Sequence, residues 1–263
     1  MAKGKKANHY EEISLLITHY NRSLSLERLL KHFDDLDMSF KDIVVSDDGS
    51  KPEHIEYITA LSKDYDITLV TTPKNKGLGN NINKGQDAIT SPFTFYIQED
   101  FIPLPGFNTH LNHGLLLLKE KPDFDVVRFY AYNKYPFLKP YKWGFSEMLF
   151  KWWYPGLDKF AFYSDHPHLR RDTYFQKFGR YLEGTSGDKT EFGMMMSVLQ
   201  NKGKAFFYDE HKSILEQVNS SDEPSTMKRN MWRNSDNFLI SWARVVYRYL
   251  NCYSQYFLNR AKV

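Results

Sequence analysis

The sequence predicts an α/β fold with a mainly parallel central sheet flanked by helices, followed by an amphipathic C-terminal helix. Apolar, strand-like runs alternate with helical patterns through the first hundred residues, which is typical of parallel βαβ units. Polar clusters follow three of these runs, and ligands bind at the carboxyl ends of the strands in such sheets. An aromatic and aliphatic stripe at helical spacing lies near the C-terminus.

Four strands are predicted in the first half from short apolar runs. They cover residues 13–18, 42–46, 67–71 and 93–97. A helix between the first two strands is indicated by apolar side chains at helical spacing, namely Leu26, Leu29, Leu30 and Phe33. Pro52 and a capping-box pattern of Ser50 with Glu53 predict the start of a second helix. A short helix is expected within residues 75–85.

The second half is less regular and richer in aromatic residues. Strands are predicted at 126–130 and 205–208, helices at 172–178 and 189–200, and an aromatic-rich loop region at 134–155. A long helix is predicted from about Asp236 onward. Its stripe comprises Phe238, Trp242, Val245, Val246, Tyr249, Tyr253 and Phe257.

Composition excludes several classes of function. A net charge of +3 is too small to indicate nucleic-acid binding. The single cysteine, Cys252, allows no intrachain disulfide, which fits a reducing compartment. The sequence shows neither a signal-peptide pattern nor a run of about 18 apolar residues. A cytoplasmic location is therefore expected.

Polar clusters stand at the ends of three predicted strands, at residues 18–22, 47–48 and 98–100. The carboxyl ends of parallel strands share one edge of a sheet, so these clusters should line one crevice. Three converging clusters indicate a ligand-binding site more strongly than any one of them.

Four strings occur in order along the chain: ISLLITHYNR, DIVVSDDGS, NKGLGNNINKG and FYIQEDF. Together they resemble the family-2 glycosyltransferases over roughly residues 13–215. The resemblance implies a GT-A-type, Rossmann-like domain that moves a sugar from a nucleoside-diphosphate sugar, commonly a UDP-sugar, to a glycan or lipid-linked acceptor. It also implies inversion at the anomeric carbon and help from a divalent cation, Mn²⁺ or Mg²⁺.

The resemblance implies that residues of the first three strings hold the donor nucleotide. These are Thr18, Tyr20, Arg22, Asp47, Asp48, Asn75, Gly77 and Asn83. A carboxylate suits the N–H of a pyrimidine and the ribose hydroxyls, but Asp47 and Asp48 could instead only form a turn. Ile82 stands where the family usually has Arg. Either Arg22 or Lys84 would supply the charge near the diphosphate, or donor binding would be weaker.

Gln98, Glu99 and Asp100 occupy the place of the family's Asp-x-Asp motif. The resemblance implies that Asp100, assisted by Glu99, holds the cation that bridges the donor phosphates. Gln98 replaces the first acidic residue of the motif, which leaves the need for a metal open. His211 is either a further metal ligand, as in some relatives, or a surface side chain.

The string GDKTEFGMMM resembles the family's segment with the catalytic base. A carboxylate there would take the proton from the attacking acceptor hydroxyl. Alignment on residues 191–193 puts Lys189 at the usual base position. The prediction is therefore Asp188, with Glu191 as the second candidate, and the alternative for Asp188 is a helix N-cap.

Other conspicuous side chains have less specific interpretations. His166 and His168 are too few for a metal site, so an acceptor-side loop or a structural role is expected. Of Trp143, Trp152 and Trp153, at least two are expected to pack in the core, and stacking on an acceptor sugar is the alternative.

Two further functions remain open beside an active transferase. A sugar-phosphate nucleotidyltransferase shares this topology, but the chain lacks the Gly-rich basic loop expected after its first strand. A nucleotide-sugar-binding protein without catalysis is the other alternative, and it is favoured by Gln98, Ile82 and Lys189.

The predicted organisation has four parts: a basic N-terminal tail (1–12), a nucleotide-sugar-binding half (13–110), an acceptor-binding half of the same domain (111–225) and a C-terminal helical extension (226–263). Seven Lys or Arg residues and one acid, Asp236, follow Met227; the basic residues are Lys228, Arg229, Arg233, Arg244, Arg248, Arg260 and Lys262. The extension would therefore either lie on the inner face of an anionic membrane or pack its stripe on the domain.

Overall fold

A computed structural model of the chain describes residues 7–219, Glu223 and 238–258, with the backbone alone at 238–241. The strands are β1 (Asn8–Tyr10), β2 (Ile13–His19), β3 (Met38–Phe40), β4 (Ile43–Asp47), β5 (Ile67–Val70), β6 (Phe93–Gln98), β7 (Phe101–Pro103), β8 (Val126–Arg128), β9 (Leu138–Lys142), β10 (Phe145–Met148), β11 (His168–Arg171), β12 (Ala205–Tyr208) and β13 (Leu215–Gln217). The helices are α1 (Ser23–Asp35), α2 (Pro52–Leu61), α3 (Leu78–Asp87), α4 (Phe107–Glu120), α5 (Tyr174–Phe178), α6 (Gly187–Gln200) and α7 (Phe238–Leu258).

Nine strands form one sheet in the order β5-β4-β2-β6-β11-β8-β12-β10-β9. Strands β5, β4, β2 and β6 are parallel, as predicted for the first half. Strand β11 runs antiparallel between β6 and β8, and β10 pairs antiparallel with β12 and β9. The α/β fold is confirmed, and its antiparallel strands come from the second half.

The central strands are buried on both faces, as a continuous apolar run predicts for a parallel sheet. In β2, Leu15 and Ile17 face the core beneath α1 and α4. Leu16 faces the opposite core, which includes Ile82 of α3 and Met194 of α6. Because β2, β4 and β6 are parallel, their carboxyl ends lie at one rim of the sheet.

Several local predictions were wrong. The Ser50 hydroxyl bonds to Asp47 and accepts the Asn21 N–H instead of capping α2, whose N-cap is Lys51. The segment 134–155 contains the β9–β10 hairpin. Residues 8–10 of the expected tail form β1, which pairs with β3.

The three tryptophans predicted mainly for the core are all partly exposed: Trp143 by 43%, Trp152 by 46% and Trp153 by 61%. Trp143 stacks on His113 of α4, with ring centroids 4.7 Å apart. Trp152 instead meets Trp153 and Phe257 of α7, each at 5.6 Å. The expectation of core packing is therefore corrected, because these rings pack on one side only.

Helix α7 uses its stripe in two ways. Cys252 in its C-terminal half is buried, and the Tyr253 ring packs on Phe160 at 5.4 Å. In its N-terminal half, Trp242 is 63% exposed and Val245 is also exposed. Of the seven basic residues of the predicted extension, five lie outside the described residues, namely Lys228, Arg229, Arg233, Arg260 and Lys262. Within the described part of the chain, no helix is long and apolar enough to span a membrane.

Candidate active site

The three polar clusters converge at the carboxyl ends of β2, β4 and β6. Thr18 pairs with Ser46 on one side and with Gln98 on the other, and His19 pairs with Asp47. This register brings the loop after β2 next to both acidic strand ends. The three clusters therefore lie side by side at one rim of the sheet, which is called the crevice below.

Asp47 shapes the loop that follows β2. Its carboxylate accepts the backbone N–H groups of Gly49 and Ser50, both at 3.0 Å, and contacts Nδ1 of the buried His19 at 2.8 Å. Nε2 of His19 accepts the Arg22 N–H at 3.1 Å, so Nδ1 carries the proton. Burial opposes ionisation of Asp47, but the hydrogen bonds from His19 and Ser50 outweigh it and lower the pKa of the carboxyl. Direct donor contact by Asp47 stays a prediction.

Asp48 orders the start of the Asn- and Gly-rich segment at residues 75–85. Its two carboxylate oxygens accept the N–H groups of Lys76 and Gly77 at 2.8 and 2.9 Å. Burial raises the pKa of this carboxyl despite these bonds. Gly77 has φ +88°, a conformation that favours glycine, and the Asn75 side chain accepts the same Gly77 N–H at 3.1 Å. The segment is thus held against the end of β4.

Asn83 lies behind the crevice. Its amide donates to the Tyr181 carbonyl at 2.9 Å and to Glu183 at 2.8 Å, and its oxygen accepts the Tyr181 N–H at 3.0 Å. Asn83 therefore ties α3 to the segment before α6. Thr18 is also buried, with its hydroxyl 3.2 Å from that of Tyr96, whereas Tyr20 is half-buried on the loop.

Arg22 and Lys84 are the two residues predicted to supply the positive charge that Ile82 cannot. They lie in different places. The Lys84 ammonium donates to Ser46 Oγ at 3.0 Å and to the Asp47 carbonyl at 2.7 Å, and burial lowers its pKa to about 8. Arg22 Nη1 lies 3.4 Å from both Glu99 and Asp100. Arg22 is therefore the cation at the acidic end of β6.

Asp100 is suited to a hard cation. Its Oδ2 accepts the Gln217 amide at 2.8 Å, but the buried Oδ1 has no hydrogen-bond partner among the described residues. Burial, and then the charge of Asp100, raise the pKa of the adjacent Glu99 to about 8. An oxygen ligand left open beside a second carboxyl fits a divalent cation completed by phosphate oxygens.

His211 does not join this acidic pair in the described contacts. Its Nδ1 lies 3.5 Å from the Asp209 carbonyl, and its ring packs on Phe207 at 5.4 Å. Among the described residues, no group of three or more His, Cys, Asp or Glu could hold a metal. Metal binding by His211 stays a prediction.

A strap from the C-terminal part of the domain borders the crevice; it comprises residues 215–219 and Glu223. Gln217 contacts Asp100, and the Asn219 oxygen accepts from Arg22 at 3.2 Å. The Glu223 carboxylate accepts the N–H groups of Leu24 and Ser25 at 3.0 and 2.8 Å, which satisfies the start of α1. This strap could not be recognised from the sequence, because its links to the crevice join residues that lie 117 to 199 positions apart.

A second acidic pair lies on the acceptor side. Glu191 is half-buried on α6, and Asp165, in the loop before β11, is close enough for the two carboxyl groups to influence each other's pKa. Burial raises the pKa of Glu191, and the nearby Arg128 opposes the rise. Asp188 is exposed in the first turn of α6. The structure thus places Glu191, rather than Asp188, beside a partner carboxyl and a buried cation.

Tyr132 is exposed at this side of the crevice. Its hydroxyl donates to Gln217 at 2.9 Å, and its ring meets His166 edge-on at 4.5 Å. Burial lowers the pKa of His166 to about 3, so this ring is neutral near pH 7. His168 is fully buried in β11, and burial holds its pKa well below the usual range. His168 is thus part of the sheet interior, whereas His166 lies in the half-buried loop before β11, and an acceptor-side role for this loop stays a prediction.

The family model of Glycosyl transferase family 2 matches residues 14–181, which is more than half of the chain. The chain belongs to this family. The match includes the ends of β2, β4 and β6 but stops before α6 and the strap. The roles of Glu191 and Gln217 therefore depend on the geometry of this family member alone.

Solved structures share the fold of this family member at low identity. TarS from S. aureus (residues 1–349, in complex with UDP-GlcNAc) has a TM-score of 0.59 and 13% identity, over 91% of this chain and 67% of that one. The mannosyltransferase PcManGT from Pyrobaculum calidifontis, in complex with GDP-Man and Mn²⁺, has a TM-score of 0.51 and 11% identity, over 74% and 53%. These similarities support the GT-A fold.

Curated relatives match a shorter stretch. GalNAc(5)-diNAcBac-PP-undecaprenol beta-1,3-glucosyltransferase of Campylobacter jejuni is 28% identical over 97 residues, which is 36% of this chain and 31% of the relative. Poly-beta-1,6-N-acetyl-D-glucosamine synthase of Staphylococcus epidermidis is 27% identical over 92 residues, or 35% and 22%. The match thus spans less than a third of either relative.

Proposed function

We propose that the chain transfers a sugar from a UDP-sugar to a glycan or lipid-linked acceptor, with inversion and with help from Mn²⁺ or Mg²⁺. The observation that carries the proposal is the open Oδ1 of Asp100, buried beside Glu99 and Arg22. The family match and the fold shared with structures that hold UDP-GlcNAc or GDP-Man and Mn²⁺ support the same reading.

Each side of the crevice has a separate task in this proposal. Asp100 and Glu99 would hold the cation, which would neutralise charge on the leaving diphosphate. Arg22 would place a further positive charge near the phosphates. The loop shaped by Asp47 and the segment ordered by Asp48 would enclose the nucleotide.

Glu191 is the base in this proposal, and Asp188 takes second place. A general base must reach the acceptor hydroxyl while it remains ionised. Glu191 is half-buried at the crevice beside Arg128, whose charge favours the carboxylate. Asp188 is exposed at the start of α6, where the helix dipole stabilises its carboxylate and gives it a structural role.

The names of two relatives support the proposed class of acceptor. One is a glucosyltransferase whose name gives a polyprenyl-diphosphate-linked oligosaccharide, and the other is a synthase of poly-N-acetylglucosamine. A cell-envelope or surface polysaccharide is therefore the proposed destination of the sugar, and a cytoplasmic location at the membrane fits a lipid-linked acceptor.

UDP with Mn²⁺ should raise the melting temperature of the protein more than either alone. A ligand that binds only the native state stabilises it by about 2.7 kcal/mol at 100 times its Kd. A thermal-shift series with UDP, GDP, CMP and AMP, each with and without metal, measures this effect. UDP release from a panel of UDP-sugars then distinguishes an enzyme from a protein that only binds. If none of the four nucleotides raised the melting temperature, with or without metal, the proposed donor site would be contradicted.

We further propose that the uncovered part of the α7 stripe contacts an anionic membrane. Trp242 and Val245 are exposed there, and Trp152 and Trp153 add exposed rings next to the C-terminal end of the helix. Arg248 on α7 is also exposed. Exposed aromatic side chains together with cations suit a membrane interface, where each cation contributes about 1 kcal/mol.

The protein should co-sediment with phosphatidylglycerol vesicles at low salt and be released at high salt. Trp242→Ser combined with Trp153→Ser should weaken this binding several-fold, because both rings are exposed. The matched control is Trp143→Ser, since Trp143 lies with α4 on the opposite face of the sheet. Equal binding by both variants, or no binding by the native protein, would leave the stripe as a packing surface alone.

A further inference from the structure

The strap holds Asp100 at two points. The Asp100 carboxylate accepts the Gln217 side-chain amide on Oδ2 at 2.8 Å, and its backbone carbonyl accepts the Val218 N–H at 2.7 Å. Strand pairing brings these groups together, because Gln217 of β13 lies opposite Phe101 of β7, the residue after Asp100. Oδ2 also lies 3.4 Å from Nη1 of Arg22. The surrounding groups thus engage Oδ2 and leave Oδ1 without a partner in the described part of the chain.

Tyr132 holds the other end of the Gln217 amide. Its hydroxyl donates to Gln217 Oε1 at 2.9 Å. An amide has an oxygen that accepts and a nitrogen that donates, whereas a carboxylate only accepts. The tyrosine O–H on Oε1 therefore favours one orientation of the amide, in which Nε2 faces Asp100. A flipped amide would bring its oxygen against the carboxylate. Tyr132, Gln217 and Asp100 thus form one directed chain of hydrogen bonds.

Support of the fold does not account for the contact between Tyr132 and Gln217. Tyr132 is 55% exposed in the loop after β8, and an internal hydrogen bond at an exposed position replaces bonds to water at little net gain in stability. The contact nevertheless joins segments that lie 85 residues apart in the sequence. Neither residue has a task in the reaction as proposed above. Their common feature is the link to Asp100.

We propose that Gln217 is a positioning residue that orients Asp100 toward a divalent cation, and that Tyr132 fixes the orientation of the Gln217 amide. The inference rests on the proposed metal site at Asp100. Groups that hydrogen-bond to a metal ligand orient it, and their loss typically lowers metal affinity about 10- to 100-fold. Gln217 keeps Oδ2 engaged, so Oδ1 is the oxygen left for the cation. Gln217 and Tyr132 act through Asp100 and touch neither the cation nor the sugar.

Two substitutions remove the two hydrogen bonds of this chain. Gln217→Met should weaken Mn²⁺ binding about tenfold, because Met has a similar length but cannot donate to Oδ2. Tyr132→Phe keeps the ring and should weaken Mn²⁺ binding about threefold, the effect of one hydrogen bond. In the Gln217→Met background, Tyr132→Phe should have no further effect, since both residues act through the same path. UDP affinity without metal should be unchanged in all three variants.

Other roles of these residues predict different results. If Gln217 Oε1 were itself a metal ligand, removal of the Tyr132 hydroxyl would free this oxygen and strengthen Mn²⁺ binding. If the contacts only supported the fold, the variants would melt at lower temperature and keep native Mn²⁺ affinity. Either result overturns the inference. Tyr132→Phe, a conservative change at an exposed residue, tests it even if Gln217→Met does not fold.

Calorimetric titration of UDP into the full chain at a series of Mn²⁺ concentrations measures the effect. The readout is the Mn²⁺ concentration that half-maximally tightens UDP binding. Tyr141→Phe and Gln200→Met are matched controls that should behave as the native protein. Tyr141 donates to Glu120 at 2.6 Å, and the Gln200 amide donates to the Gln255 carbonyl at 2.8 Å, both at a distance from Asp100 in the fold.

The titration also separates failure of this inference from failure of the proposed function. If Mn²⁺ tightens UDP binding equally in the native protein, Gln217→Met and Tyr132→Phe, the inference alone is overturned. If Mn²⁺ has no effect on UDP binding by the native protein, the proposed metal site fails, and the inference fails with it. A higher half-maximal Mn²⁺ concentration in both variants, with native UDP affinity in the absence of metal, supports it.

Discussion

Replacement of Asp100 by Asn should remove metal-dependent UDP binding and reduce sugar transfer by about 10³-fold, because a bound cation supplies several kcal/mol of charge stabilisation. The substitution keeps the size of the side chain and leaves an oxygen to accept the Gln217 amide. It removes the negative charge that the open Oδ1 presents to a cation. Steady-state rates at saturating donor, measured across a Mn²⁺ titration, test this expectation.

Asp87→Asn is the matched control for Asp100→Asn. Asp87 lies at the end of α3 and forms an exposed ion pair with Arg180, at 2.7 Å. Exposed pairs of this kind contribute about 0–1 kcal/mol, so the control should keep native metal dependence and native rates. Full activity in Asp100→Asn would show that the cation, if one is used, binds elsewhere.

Replacement of Glu191 by Gln should lower transfer by about 10²–10⁴-fold, the usual contribution of a general base. The Gln side chain has the same size and shape as that of Glu191, so the fold around α6 should be unchanged. UDP binding should therefore stay native, which separates loss of the base from loss of the donor site. Turnover and thermal shift on the same preparations give both quantities.

Asp188→Asn in the preceding turn of α6 is the internal comparison. Asp188 is exposed and lies three residues before Glu191. Its loss should change the rate by no more than about threefold, since exposed surface substitutions have small effects. The opposite order, with Asp188→Asn inactive and Glu191→Gln active, would return the base to the position first predicted from the sequence.

The first half of the fold could be predicted because its strands are continuous apolar runs. β2 is buried at all seven positions, and its sequence leaves no other interpretation. β11 shows the opposite case. Its sequence, HLRR, resembles a polar loop, yet Arg170 is fully buried and donates to Gln86 at 2.7 Å and to Tyr181 at 2.9 Å. Only the tertiary structure supplies these partners, so the strand could not be recognised from its own residues.

The sequence predicted where the candidate site residues lie, but not which groups they contact. Strand ends located Asp48 and Asp100 in the crevice. Nothing in the sequence shows that both oxygens of Asp48 accept backbone N–H groups, whereas Oδ1 of Asp100 has no hydrogen-bond partner in the part of the chain that the structure describes. The Asp165–Glu191 pair was missed because its members are distant in sequence and meet only when β11 and α6 are in place.

The unbroken sheet also determines how substrates can enter and leave. The donor side ends at β6 and the acceptor side begins at β11, and the two strands are paired from His168↔Tyr96 to Arg171↔Phe93. A hinge between the two sides would have to break these backbone hydrogen bonds. Substrate entry and release should therefore involve segments outside this sheet rather than a rotation of two rigid lobes.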